Sequence, residues 1–315
     1  MLRNFKAMKF TFVLTALQRG AERIPMGLGF ALALLFLSDK ASAGDVLLGT
    51  ANNFAVLAAS AITSTGPTVV NGGNVGLSPD TLSSITGFSP GNGTVTAPYT
   101  IEAANGATSQ AQNDLTTAYN QAVGLSRTAT LTGEVLGSGG TVGTLLNPLT
   151  PGVYFFSSSA QLTGTLYLND EGIKDPVFVF QIGSTLITAS DSSVVEENAG
   201  VGTIAGASVF WQVASSATLG AGTDFDGNIL AYTSISDDGG STVDGRLLAM
   251  GGGGVGGAVT LDDTTIDAPP AELPGGGGVT VPDTGSALLL LGSVLAGLFA
   301  LGRRFSSPAH QQMPT

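Results

Sequence analysis

The side chains that carry covalent and redox chemistry are nearly absent from this 315-residue chain, which has no cysteine and one histidine, His310. That excludes a thiol nucleophile, a disulfide framework, a multi-histidine metal site and any Ser-His-Asp or Cys-His relay. Carboxylates are what remains. Asp237-Asp238 is an adjacent pair, but glycosidic cleavage needs two acids at a defined separation, and neighbours in a turn are ordinarily just solvated. Asp224-Phe225-Asp226-Gly227-Asn228 opens like a calcium loop, yet lacks the glutamate at the twelfth position that an EF-hand requires. Gly251 to Gly254 lacks the Lys-Ser/Thr of a phosphate loop and reads as a turn. Cleavage of acidic sugars would need basic residues in a cleft, and between residues 44 and 302 only Arg127, Lys174 and Arg246 are basic. The residues point away from an enzyme and imply no metal and no cofactor.

Those three bases stand against 21 acids over the same stretch, a formal charge of −18. Such a surface repels phosphate backbones, which excludes nucleic acid as a partner. The apolar share of 43% is enough for a core in spite of 46 glycines.

The elements that must position any site are mostly short strands. Val153 to Phe156, Val177 to Ile182 and Ser208 to Val213 are runs of β-branched and aromatic residues separated by Gly, Asn, Asp and Ser. Trp211 sits in one of these runs and is expected in the core. Between Ala107 and Leu125 the apolar positions Ala111, Leu115, Ala118, Tyr119, Ala122 and Val123 share one helical face. Thr108 or Ser109 is expected to cap this helix, and Gly124 to end it. Residues 223–231 (TDFDGNILA) repeat as 241–249 (STVDGRLLA) at an offset of 18, with looser relatives at 161–166 and 184–190. That period is close to one turn of a three-sided β-helix, in which each turn stacks on the next. A β-sandwich is the other architecture the short strands allow.

Both ends read as processing segments. Scattered basic residues, the apolar run Met26 to Leu37 and the triplet Ala41-Ser42-Ala43 have the form of a secretory signal peptide over residues 1–43. Residues 268–280 form a Pro/Gly linker. Then come Val281, Pro282, Asp283, Thr284, Gly285 and Ser286, the apolar run Ala287 to Leu301, the pair Arg303 and Arg304, and a polar tail over 306–315. The arrangement over 281–305 resembles the PEP-CTERM sorting signals, most closely their VPDSG variant. That resemblance implies transient membrane contact through the apolar run, processing by an exosortase-type protease, and release to the outside or attachment to the envelope. The residues after Phe305 depart from the pattern, because such signals usually end soon after the basic cluster.

The body, residues 44–267, also resembles a family. The order of NFAVLAASAITSTGPTVVNGGNVGLSP (53–79), AQNDLTTAYNQA (111–122), LTPGVYFFSSSAQLTGTLYL (149–168), PVFVFQIGSTLITAS (176–190), VFWQVASSATLGAGTDFDGNILA (209–231) and GAVTLDDTTI (257–266) is similar to the microbial ice-binding-like domain. The resemblance implies a mainly β fold, a right-handed three-sided β-solenoid with one long α-helix packed alongside. It also implies that the N-terminal and C-terminal segments meet within the stack. Its members bind ice crystal surfaces through a flat face of Thr, Ser, Ala and Gly. Threonine suits such a face because its methyl orders water, its hydroxyl joins the array and its β-branch keeps χ1 stiff. The candidate positions are Thr163, Thr165, Thr185, Thr188, Ser190, Thr218, Thr223, Ser234, Ser236, Thr242, Thr260 and Thr264. Asp224, Asp226, Asp237, Asp238, Asp262 and Asp263 are expected to crowd the coils that carry them. A matrix or adhesion protein of the same fold, with exopolysaccharide as its partner, is the alternative function.

Overall fold

The structure, a computed structural model, describes residues 46–88, 92–251 and 256–270. The expected signal peptide, most of the linker, the sorting motif with its apolar run and Arg pair, and the polar tail lie outside the described residues.

Short strands of β-branched and apolar residues need neighbours to complete their hydrogen bonding, and here every strand pair in the ladders is parallel. The pairings form three ladders. The first runs through Gly152–Phe156, Phe178–Ile182, Val209–Val213, the second halves of Asp224–Ala231 and Thr242–Ala249, Phe54–Ala58 and Asn74–Leu77. The middle ladder runs Val135–Leu136, Ala160–Leu162, Leu186–Thr188, Ala217–Leu219, Ile235–Asp237, Ala258–Leu261, Ala61–Ser64 and Ile85–Thr86. The third holds Thr165–Asn169, Ser193–Glu197, the first halves of the two eight-residue strands, Thr265–Asp267, Val69–Asn71 and Thr94–Val95.

The 18-residue repeat is realised as register, with Asp224 opposite Thr242 and each following pair in step to Ala231 opposite Ala249. Both strands turn a corner at glycine, Gly227 at φ 121° and Gly245 at φ 158°. A β-carbon on Gly245 would stand 2.0 Å from the Gly227 carbonyl oxygen, so no larger residue fits the inner corner. Chain order and stacking order differ. Residues 54–71 stack on the rungs of 247–267, through Val56 opposite Leu247, Ile62 opposite Val259 and Val70 opposite Ile266.

Alternation along the strands turns every second side chain inward. Inside, Tyr154, Phe180 and Trp211 stack on successive rungs, the Phe180 and Trp211 rings 3.9 Å apart and nearly parallel, and Phe225 of the third ladder packs tilted against Trp211. Trp211 is fully buried, and its indole N–H donates to the Asp226 carbonyl, so it is a core residue as expected. The helix spans Gly106–Gly124. Its start is capped by Asn105, whose side chain accepts from the Thr108 N–H while the Thr108 hydroxyl accepts from the Asn105 N–H. Thr108 is thus the third residue of a capping box rather than the cap. Ala111, Leu115, Ala118, Tyr119 and Ala122 are buried against Val179, Phe210, Leu230 and Leu248 of the first ladder. Val123 is half exposed, one position past the buried stripe. The Gln181 amide crosses from the first ladder to the carbonyls of Ala122, Val123 and Leu125, satisfying the end of the helix.

Candidate functional site

Within the middle ladder the alternation is strict. Leu186, Ala217, Ile235 and Val259 face inward, and the next residue of each strand faces out. Register then aligns the outward positions into one column: Val135, Gln161, Ile187, Thr218, Ser236, Thr260, Thr63 and Thr86. Five consecutive rungs, Thr218 to Thr86, carry a hydroxyl. Neighbouring hydroxyls touch within the column, Ser236 to Thr218 at 3.3 Å and Thr86 to Thr63 at 3.4 Å. Rungs of a parallel ladder stand about 4.8 Å apart, and positions two apart on a strand about 6.8 Å.

A second column lies two residues earlier. Ser159, Thr185, Ser216 and Ser234 are linked by the backbone bonds of successive rungs, and Ala258 and Ala61 continue the row. Thr185 donates to the Ser159 hydroxyl at 2.7 Å. Both columns hold only uncharged side chains, small except at Gln161 and Ile187.

The twelve candidates divide by position. Thr218, Ser236 and Thr260 lie in the outward column, and Thr185 and Ser234 in the flanking one. Thr163 is half-buried where the middle ladder ends, its N–H bonded to the Leu136 carbonyl. Ser190 is exposed in the turn that follows. Thr165 and Thr242 belong to the third ladder, where Thr165 accepts from the Ser193 hydroxyl. Three candidates must be corrected. Thr188, Thr223 and Thr264 are buried: the first two share a 2.8 Å hydrogen bond, and Thr264 donates to Asp237. Their hydroxyls serve the interior and cannot meet a surface. Thr63 and Thr86 complete the column but were not among the candidates. The signal for them was the expectation that the N-terminal segment enters the stack.

The carboxylates are sorted rather than scattered. Asp237 points inward and accepts from Ser241 and Thr264, while Asp238 beside it is exposed, so the pair cannot converge on one bond. Asp238 and Asp262 stand at the edge of the middle ladder, and Asp263 lies exposed in the turn beyond it. Asp224, Asp226, Asp244 and Asp267 all lie on the third ladder. The residues 224–228 are extended strand, which rules out an EF-hand loop there. Burial, followed by the charges of Glu196, Asp244, Asp224 and Asp170, pushes the Asp226 carboxyl up to about 8. Among the described residues no helix is long and apolar enough to cross a membrane.

A stack of parallel strands with two uncharged, hydroxyl-bearing columns on one face, bordered by Asp238 and Asp262, and with an acidic third ladder is a scaffold for binding an extended surface. The chain belongs to the ice-binding-like family, whose model matches residues 56–267. It is 46% identical over 274 residues to an ice-binding protein of Nostoc sp. (strain HG1), an alignment covering 86% of this chain and 91% of the relative. It is 33% identical to an ice-binding protein of Colwellia sp., covering 75% of this chain and 89% of the relative. Among solved structures, an ice-binding protein from an Antarctic biological consortium superposes with a TM-score of 0.61 at 36% identity, covering 71% of this chain and 91% of the other. One from the Antarctic ascomycete Antarctomyces psychrotrophicus gives 0.61 at 33%, covering 72% and 99%.

Proposed function

We propose that the protein binds ice through the outward column Thr218, Ser236, Thr260, Thr63 and Thr86 with its flanking column of Ser, Thr and Ala. The observation that carries this is the register that stacks five hydroxyl-bearing rungs in one uncharged column. A regular array of methyls and hydroxyls can hold water in lattice-like positions, and a rigid array loses little freedom when it meets the crystal. The acidic third ladder faces elsewhere. In this reading the three ladders are the faces of a right-handed triangular solenoid, the helix covers the first, and the protein performs no catalysis. The relatives named as ice-binding proteins support it.

The sequence patterns at the two ends of the chain support an extracellular site for that activity. Residues 1–43 direct secretion, cleavage falls before Gly44, and residues 281–305 present a sorting signal to an exosortase-type protease. The product is then released or held at the envelope, where exopolysaccharide surrounds it. Partition into slowly grown ice tests the binding itself: the purified domain should enter the ice fraction while a co-dissolved globular protein stays in the liquid. Equal exclusion of both proteins would sink the proposal.

A further inference from the structure

The last rung of the first ladder, where Ile101–Ala103 pairs with Asn74–Leu77, ends beside the start of the helix and leaves an open cavity of about 360 Å³ there. Asn53, Asn74, Tyr99, Glu102 and Gln110 bring polar side chains to its lining. Two carboxylates hold that lining in place. Glu102 accepts from the Asn74 amide at 3.1 Å through Oε1 and from the Asn105 amide at 3.0 Å through Oε2. Asp114, one helical turn beyond Gln110, accepts from the Gln110 amide at 2.8 Å and from the Thr50 hydroxyl at 2.6 Å. Other polar groups are uncommitted: among the described residues the Asn53 amide, the Tyr99 hydroxyl and the Gln110 amide oxygen make no hydrogen bond. No lysine or arginine lines the cavity. Arg246 is buried and committed to the Asn52 and Pro269 carbonyls and the Asn228 amide oxygen.

We propose that this cavity binds one neutral sugar ring, of the kind an extracellular polysaccharide presents. Small-molecule pockets run from about 300 to 1,000 Å³, so this one has room for a single ring rather than a chain. Glu102 repels an anion, and no base stands in the lining to offset it. The groups left over ask for partners that both donate and accept: the Gln110 oxygen accepts only, while the Asn53 amide and the Tyr99 hydroxyl do both. Sugar hydroxyls match that set. Phe54, Gly72 and Ala107 complete the lining with apolar surface, which suits the C–H face of a ring. The amides of Asn74 and Gln110 are already fixed by the two carboxylates, so little freedom is lost when a ligand enters. None of the lining residues lies on the middle ladder, so a glycan held here leaves the hydroxyl columns free and the site does not depend on ice binding.

The test is saturation-transfer NMR on the full chain with glucose, galactose and mannose as probes and glucuronate as the anionic comparison. At least one neutral hexose should bind with a Kd of about 1–10 mM, and glucuronate should give no transfer. Ala107 is exposed in the first turn of the helix, so Ala107→Trp fills the cavity from a position that tolerates substitution, and it should abolish the transfer. Tyr99→Ala serves the same purpose if the first variant folds poorly, and should weaken binding at least about tenfold. Thr260→Tyr, on the hydroxyl columns, should leave sugar binding unchanged. No transfer to any of the three hexoses would overturn the proposal. Transfer that survives both Ala107→Trp and Tyr99→Ala would also overturn it, because the sugar would then be held elsewhere, and equal binding of glucuronate would overturn the selection for a neutral ring.

Discussion

Replacing Thr260 with tyrosine puts the reasoning about the surface at greatest risk. Thr260 is exposed at the centre of the outward column, opposite Ser236 on one side and Thr63 on the other. A phenol ring there projects well beyond the threonine methyl and holds a crystal off the rungs on either side. Three of the five hydroxyl-bearing rungs lose contact. At about 1 kcal/mol of net hydrogen bonding for each rung, the loss is about 3 kcal/mol, or roughly a hundredfold in affinity. Tyrosine is favourable in a strand, so the Tm of the variant should stay within about 1 °C of the parent. Affinity is read from the protein concentration that half-saturates inhibition of ice recrystallisation. Thr242→Tyr on the third ladder is the control, and it should leave that concentration unchanged. Retained inhibition by Thr260→Tyr, or an equal loss from Thr242→Tyr, would refute the assignment of the face.

Four further outcomes follow from the same structure. Ile187 is 41% exposed next to Thr218 in the column; Ile187→Thr keeps the β-branch, extends the hydroxyl row by one rung and should raise affinity up to about fivefold in the recrystallisation assay. Thr223→Val removes a buried hydroxyl bonded to Thr188 and to the Gly220 carbonyl; it should cost about 1–3 kcal/mol in urea unfolding and leave ice inhibition unchanged. Arg246→Met leaves the Asn52 and Pro269 carbonyls and the Asn228 amide oxygen without their donor; the expected cost is about 3 kcal/mol, measured in the same way. Burial and neighbouring carboxylates push Asp226 up to about 8 and Glu196 up to about 7, and burial pushes Asp170 up to about 6. These folded values lie above the unfolded ones, so their contribution is fully present below about pH 4 and is lost as pH rises through 6 to 8. Tm should therefore fall between pH 5 and pH 9, and Asp226→Asn should flatten the fall.

Much of this architecture was legible in the sequence. The repeat of 223–231 at 241–249 became an aligned pair of strands with no slip. The helix was readable because five of its six apolar positions face the first ladder, and only Val123 strays. The site was harder to read because it depends on which phase of each alternation points inward. In Leu186–Thr188 the apolar Ile187 faces out and the hydroxyl of Thr188 faces in, the reverse of what polarity suggests. Thr188 can be buried because Thr223 and the Gly220 N–H satisfy its hydroxyl, and those partners lie 35 and 32 residues away. Thr63 and Thr86 were missed for a different reason. Thr63 is placed by pairing with Thr260, almost 200 residues later, and Thr86 by pairing in turn with Thr63, and local pattern carries no trace of either. Of the aspartates expected to crowd the face, the register turns Asp237 inward and sets Asp224 and Asp226 on the third ladder, while Asp238 and Asp262 remain at the edge of the middle ladder and Asp263 in the turn beyond it.

The central claim is that this chain adsorbs to ice, and it is met most directly by watching a single crystal. A nanolitre osmometer holds one ice crystal in a solution of purified residues 44–274 and cools it slowly. The crystal should become faceted and should not grow across a measurable gap between melting and freezing. A round crystal that grows freely as soon as it is cooled, in a sample that is folded and β-rich, would contradict it.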